Sequence, residues 1–219
     1  MKIQIVVGAT LSGQYPMIIK AAKETWDSIQ HPNFLKTIYL YGSNDKEKRI
    51  VTCDNSIDFY APVEDIRGNE HIKFKHLLDS IAHTEFDYLI IGSSSSYWDK
   101  ARLLTKIESL AKDKIYCGID GGGFASGCGR ILSRDVVEIL TKNLPIHYPC
   151  MDEDCLMGSL LINQFNIPIT MAERVQYNHD THRMSRCYHY RCKHESNAKE
   201  FEVIAFNNLL KGECFYDVQ

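Results

Sequence analysis

The 219-residue chain lacks an apolar run long enough to cross a bilayer, and it has no internal repeat or low-complexity tract. A membrane-spanning helix needs roughly 20 consecutive apolar residues, so that class is excluded. Charge of one sign is also missing. The formal net charge is only −3, which gives no basic footprint for general nucleic-acid binding. No linker rich in Pro, Gly or Ser divides the chain, and one domain over residues 1–219 is the simpler reading. The Walker pattern Gly-x-x-x-x-Gly-Lys is absent. The glycine cluster that does exist comes late rather than after the first strand, which argues against a Rossmann dinucleotide site.

What is present fits a globular α/β domain. Hydrophobic residues make up 44% and charged residues 24%, ordinary values for a chain that buries its own core. The opening "MKIQIVVGAT" alternates like a strand and has no small-residue cleavage site. It reads as the first strand of a cytoplasmic protein, or of a catalytic domain cut from a longer one. Eight cysteines are read as mostly reduced thiols, with Cys150/Cys155 and Cys187/Cys192 the pairs to watch.

Periodicity predicts strands at 3–7, 37–41, 56–62, 87–91, 114–119 and 129–132. Helices are predicted at 17–29, about 70–83, around Leu103–Leu110, after Ser133 as N-cap, and over about 154–166. Strands alternating with helices point to a mostly parallel central sheet flanked by helices. The tail from about residue 175 is polar, rich in His, Arg and Tyr, and weakly periodic. It is expected to pack over the site rather than form a core of its own.

Three segments can carry chemistry. In "CGIDGGGFASGCGRILSRD" (117–135), Gly121, Gly122, Gly123, Gly127 and Gly129 can bring backbone close to a ligand, although tight turns explain them as well. "PCMDEDCLMGSLL" (149–161) sets Asp152, Glu153 and Asp154 at a helix start. Acids there complement the helix dipole; the same place suits a general base kept ionised. "NHDTHRMSRCYHYRCKH" (178–194) gathers His179, His182, His189, His194, Cys187 and Cys192. Its two cysteines lack a second paired knuckle, which disfavours structural zinc. Contact of one histidine with a nucleotide-bound metal or phosphate is the better expectation.

Order and spacing add up to a resemblance. "KAAKETW" (20–26), "FDYLIIGSSSSYWDKARLL" (86–104), "GGFASGCGRILSRDVVEIL" (122–140) and "DEDCLMG" (152–158) match, in sequence order, four segments of the fringe-type β-1,3-glycosyltransferases. The third resembles the family's Ala-Ser-Gly-x-Gly-x-x-x-Ser and the fourth its Glu/Asp-Asp-x-x-x-Gly. The match covers most of residues 1–166, and the tail joins it loosely through "CYHYRCKH".

The resemblance implies a GT-A-like fold and inverting transfer of a sugar from a nucleotide-sugar donor, UDP by family precedent, to a glycan or glycoconjugate hydroxyl. Asp154 falls on the catalytic base. Thr10, Ser93, Ser94, Ser95, Gly127 and Gly129 fall on the donor site, Gly123 and Glu153 on the acceptor or sugar side. His189 is the expected metal contact if a metal is used. The departure is that the family's three metal-holding aspartates are replaced by Ser93, Ser94 and Ser95, or by Ser94–Ser96 if the register slips. Hydroxyls are poor substitutes for carboxylates on Mn²⁺ or Mg²⁺. Three readings stay open: a metal-independent enzyme whose Lys, Arg and serine groups hold the diphosphate, a different carboxylate such as Asp99 or Asp120 on the metal, or a catalytically inactive sugar- or nucleotide-binding protein on the same fold.

Overall fold

The computed structural model describes residues 1–45, 47–66, 68–146, 152–177, 184–194, 196, 198–212 and 215. His179, His182, Cys150 and Cys214 lie outside them. Strands β1 (Ile3–Gly8), β2 (Thr37–Gly42), β3 (Arg49–Thr52), β4 (Ser56–Ala61), β5 (Tyr88–Ser93), β7 (Tyr116–Gly118), β8 (Arg130–Ser133) and β9 (Ile169–Met171) form one eight-stranded sheet in the order β3-β4-β2-β1-β5-β8-β7-β9. A second sheet joins β10 (Val175–Gln176), β11 (His189–Arg191) and β6 (Ser96–Trp98).

The apolar runs behave as strands buried on both faces should. Along β1, Ile3, Ile5 and Val7 face one core and Val6 the other. The first core is closed by α1 (Tyr15–Glu24), α3 (Lys100–Glu108) and α6 (Lys199–Lys211). The second is closed by α2 (Glu70–Ile81), α4 (Arg134–Asn143) and α5 (Glu153–Gly158). A wider π-helical turn, Ser159–Gln164, continues α5.

The sheet is mostly parallel, as expected, but two of its eight strands, β3 and β8, are reversed. β4, β2, β1 and β5 run parallel, but β8 is antiparallel to both β5 and β7. The 117–135 segment doubles back as a β7–β8 excursion, which periodicity alone does not show. Helix α1 ends at Glu24, earlier than the spacing predicts. The chain then turns inward through Trp26–Ser28 to bury Asp27, which accepts from Thr37 Oγ1, Tyr39 OH (3.0 Å) and Lys100 Nζ (3.4 Å); Ile29 is left exposed. Ser133 precedes α4 but does not cap it. Its hydroxyl donates to Asp135 and accepts from Ile115 N. β3 escaped the periodic signal because all four of its residues are exposed, and it is held by backbone pairing with β4 and by Arg49 over the Tyr60 ring.

The tail does not merely cover the site. Tyr188, Tyr190, Cys192, Ala205 and Phe206 are built into the first core, and α6 packs on α1. No helix among the described residues is long and apolar enough to cross a membrane.

Candidate active site

The chain runs β1, β2, β4 outward in one direction and then returns to place β5 beside β1, with Gly8 opposite Ser93. That junction is a topological switch point, and open α/β sheets form their ligand crevice outside the carboxyl ends of strands at such a point. A cleft of about 820 Å³ opens there. Thr10, Ser93, Ser94, Gly127, Glu153 and Asp154 all line it, so six of the sequence candidates converge.

On one wall, Asp65 ties the loop after β1 to the loop after β4. One of its oxygens accepts from Leu11 N and Thr10 Oγ1, both at 2.8 Å. The other accepts from Gly42 N (3.1 Å) and pairs with Lys73 Nζ (3.1 Å). Burial alone would raise this carboxyl. The hydrogen bonds from Leu11, Gly42 and Thr10, together with Lys73, outweigh burial and hold it below the usual carboxylate range. Gly42 is required here, since a Cβ would lie 2.5 Å from the Asp65 Cα.

Removing Asp65 strands a buried lysine. Asp65→Ala is expected to cost about 3–5 kcal/mol at pH 7 by urea unfolding, the range for breaking one side of a buried pair. The folded carboxyl sits below its unfolded value of about 3.9, so its contribution is complete above that pH and disappears as pH falls through the folded value. The gap between wild type and variant is expected to narrow below about pH 4.

The opposite wall is the start of α5. Asp154 accepts from Gly127 N at 2.8 Å and from Cys155 N at 2.9 Å, which fixes the carboxylate against the glycine segment. Glu153 is bonded at 2.6 Å by Arg130 Nη2, whose side chain is only 2% exposed. Lys193 reaches the cleft from the tail.

Four sequence candidates lie elsewhere. Ser95 is buried and its carbonyl accepts from Cys192 N. Gly123 belongs to a turn whose amides bond Asp120. Gly129 (φ +93°) lies behind the cleft wall, where a Cβ would overlap the His189 ring. His189 is 1% exposed and stacks on Trp98 with ring centres 4.1 Å apart; its Nε2 is engaged by Cys128 and Ser96. It does not line the cleft as a metal contact.

The two alternative carboxylates are also committed. Asp99 caps α3 through Arg102 N, and Asp120 serves its own glycine turn; neither lines the cleft. Among the described residues no three His, Cys, Asp or Glu side chains gather where they could hold a metal ion. The hydroxyls at the end of β5 do not fit a hard divalent cation, which takes carboxylate and carbonyl oxygens.

Asp65, Arg130 and Cys128 were missed by sequence reasoning, and Lys73 was not assigned to the cleft, whereas the sequence offers Lys193 as positive charge for a diphosphate. The signal for Asp65 was its place four residues beyond β4, at the same edge as Thr10 and Ser93. The positions of Arg130 and Cys128 follow from the reversed direction of β8, which the strand predicted at 129–132 does not by itself reveal.

No family model and no curated protein matches the chain. Among solved structures, it is similar to a glycosyltransferase involved in the glycosylation of the major capsid of PBCV-1, with a TM-score of 0.54 over 94% of this chain and 98% of that one. The two chains share a fold. Their sequence identity is 14%, so the likeness speaks for the architecture.

Proposed function

We propose that the chain is a nucleotide-sugar-dependent glycosyltransferase that inverts the anomeric carbon and works without a divalent metal. The observation that carries the reading is the convergence of Asp154, Glu153, Gly127, Ser93, Ser94 and Thr10 on one cleft at the switch point of a glycosyltransferase-like sheet. Asp154 is the base that takes the proton from the acceptor hydroxyl as its oxygen attacks the sugar carbon. The leaving diphosphate sits over the Ser93 and Ser94 hydroxyls, with Lys193 as the cation at the rim. Fixed donors of this kind stabilise charge that develops on a leaving group. Glu153, held by Arg130, accepts hydroxyls of the sugar or the acceptor. UDP-sugars are the donor class and a glycan or glycoconjugate is the acceptor.

Calorimetry tests this directly. UDP and UDP-sugars titrated with Mn²⁺, and again with EDTA, are expected to bind equally well in both. Binding only with Mn²⁺ would overturn the metal-free form of the reading. No nucleotide binding in either condition would overturn the enzyme reading itself.

A further inference from the structure

Behind the cleft wall lies a cluster of which the glycosyl-transfer reading uses only Ser93. Cys128 Sγ is approached by Ser93 Oγ at 3.3 Å, Ser96 Oγ at 3.2 Å and His189 Nε2 at 3.6 Å. The groups come from β5, β6 and β11, so three separate strands converge on one sulfur. Ser96 Oγ accepts from Ser93 N and also lies 3.2 Å from His189 Nε2, so when that nitrogen donates, the serine hydrogen is left to point at the sulfur. A neutral thiol is a weak acceptor and has little use for three donors; a thiolate accepts all of them.

The partner is fixed as firmly as the thiol. His189 stacks on Trp98, and Gly129, which has no Cβ, packs against the Cε1–Nδ1 edge of the ring. The titratable and charged groups facing Cys128 are His189 and Arg174, whose guanidinium donates to the Cys128 carbonyl at 3.1 Å. No carboxylate is bonded to it among the described residues. Cys128 keeps 7% of its surface, and its neighbours Gly127 and Ser93 line the cleft, so a small reagent has a way in.

We propose that Cys128 is a modification site, a thiol activated by His189 that reacts with hydrogen peroxide and with small carbon electrophiles through the wall of the cleft. This does not depend on the glycosyltransferase reading. With peroxide, the sulfur attacks one oxygen, an S–O bond forms and the O–O bond breaks. The departing hydroxide takes the proton that left the thiol for His189, giving sulfenic acid, water and neutral imidazole. Sulfur is oxidised by two electrons and peroxide is reduced. Burial opposes ionisation, but His189 and the serine hydroxyls overcome it and bring the thiol down to about 5. Cys187 is just as buried, at 5%, and among the described residues no imidazole is bonded to its sulfur; burial pushes its thiol up despite backbone amides of His189, Tyr188 and Val175.

The test uses the intact chain and peptide mass spectrometry. Iodoacetamide at pH 6.5 is expected to label Cys128 at least about tenfold faster than Cys187, because an ordinary thiol is only about 1% ionised there. The Cys128 rate is expected to stay level from pH 8 to 6 and to fall only near pH 5. Peroxide followed by a 1,3-diketone trap is expected to tag Cys128. His189→Gln abolishes the low-pH reactivity and Ser93→Ala moves the fall toward higher pH. A Cys128 rate no faster than that of Cys187, or one that climbs through pH 8–9, overturns the proposal. The wild-type profile decides even if the His189 variant does not fold.

Discussion

Asp154→Asn is expected to slow sugar transfer by about 10²–10⁴-fold, the usual contribution of a positioned general base. The affinity for UDP is expected to stay within about threefold, because only the acceptor side loses its proton sink. The geometry explains why so small a change is informative. Each Asp154 oxygen accepts one backbone amide, from Gly127 and from Cys155, and a carboxylate oxygen has a second lone pair to offer. Asparagine has a single acceptor oxygen, so one of those amides also loses its partner, at about 1 kcal/mol. A transfer assay paired with UDP calorimetry separates the roles. Unchanged transfer would remove Asp154 from the base role. Joint loss of transfer and UDP binding would make it a structural anchor of the Gly127 loop.

The strands most visible in the sequence are those buried on both faces. "IQIVV", "TIYLY" and "DYLII" declare themselves because neighbours on either side of the sheet demand apolar residues. β3 and β6 stayed hidden for opposite reasons. β3 is an exposed edge with no buried face to pattern it, and β6 is a three-residue strand inside a serine and aromatic stretch that looks like a loop. The site was legible in proportion to its locality. Asp154, Glu153 and Gly127 stand within short motifs at a helix start and a glycine turn. Asp65, Arg130 and Cys128 acquire roles only through partners 8 to 61 residues away, as in Lys73 for Asp65 and His189 for Cys128. Such pairings need the topology, and a one-strand reversal at β8 is enough to conceal two of them.

Arg130 is where that topology matters most for stability. Its side chain is 2% exposed, that of Glu153 is 11% exposed, and the two meet at 2.6 Å. Arg130 Nη1 rests on the Met157 sulfur at 3.1 Å, so the one guanidinium fastens two residues of α5 to the sheet. Burial is the largest single influence and opposes the charged guanidinium, but the charge and hydrogen bond of Glu153, with Tyr116 and Asp154 nearby, together outweigh it and hold Arg130 above its ordinary range. Arg130→Met removes the charge and keeps the volume, leaving Glu153 buried without its cation. The expected loss is about 3–5 kcal/mol. For a chain of this size that is roughly 6–20 °C in Tm, seen in urea as a lower midpoint with unchanged slope. Adding Glu153→Gln is expected to recover much of the loss, because a neutral amide no longer needs the partner. The double variant therefore separates two effects. If stability returns but transfer does not, the pair serves the chemistry by placing a carboxylate in the cleft. A double variant as unstable as Arg130→Met alone would mean that the guanidinium holds α5 through packing on Met157, and that the charge on Glu153 contributes little to the fold.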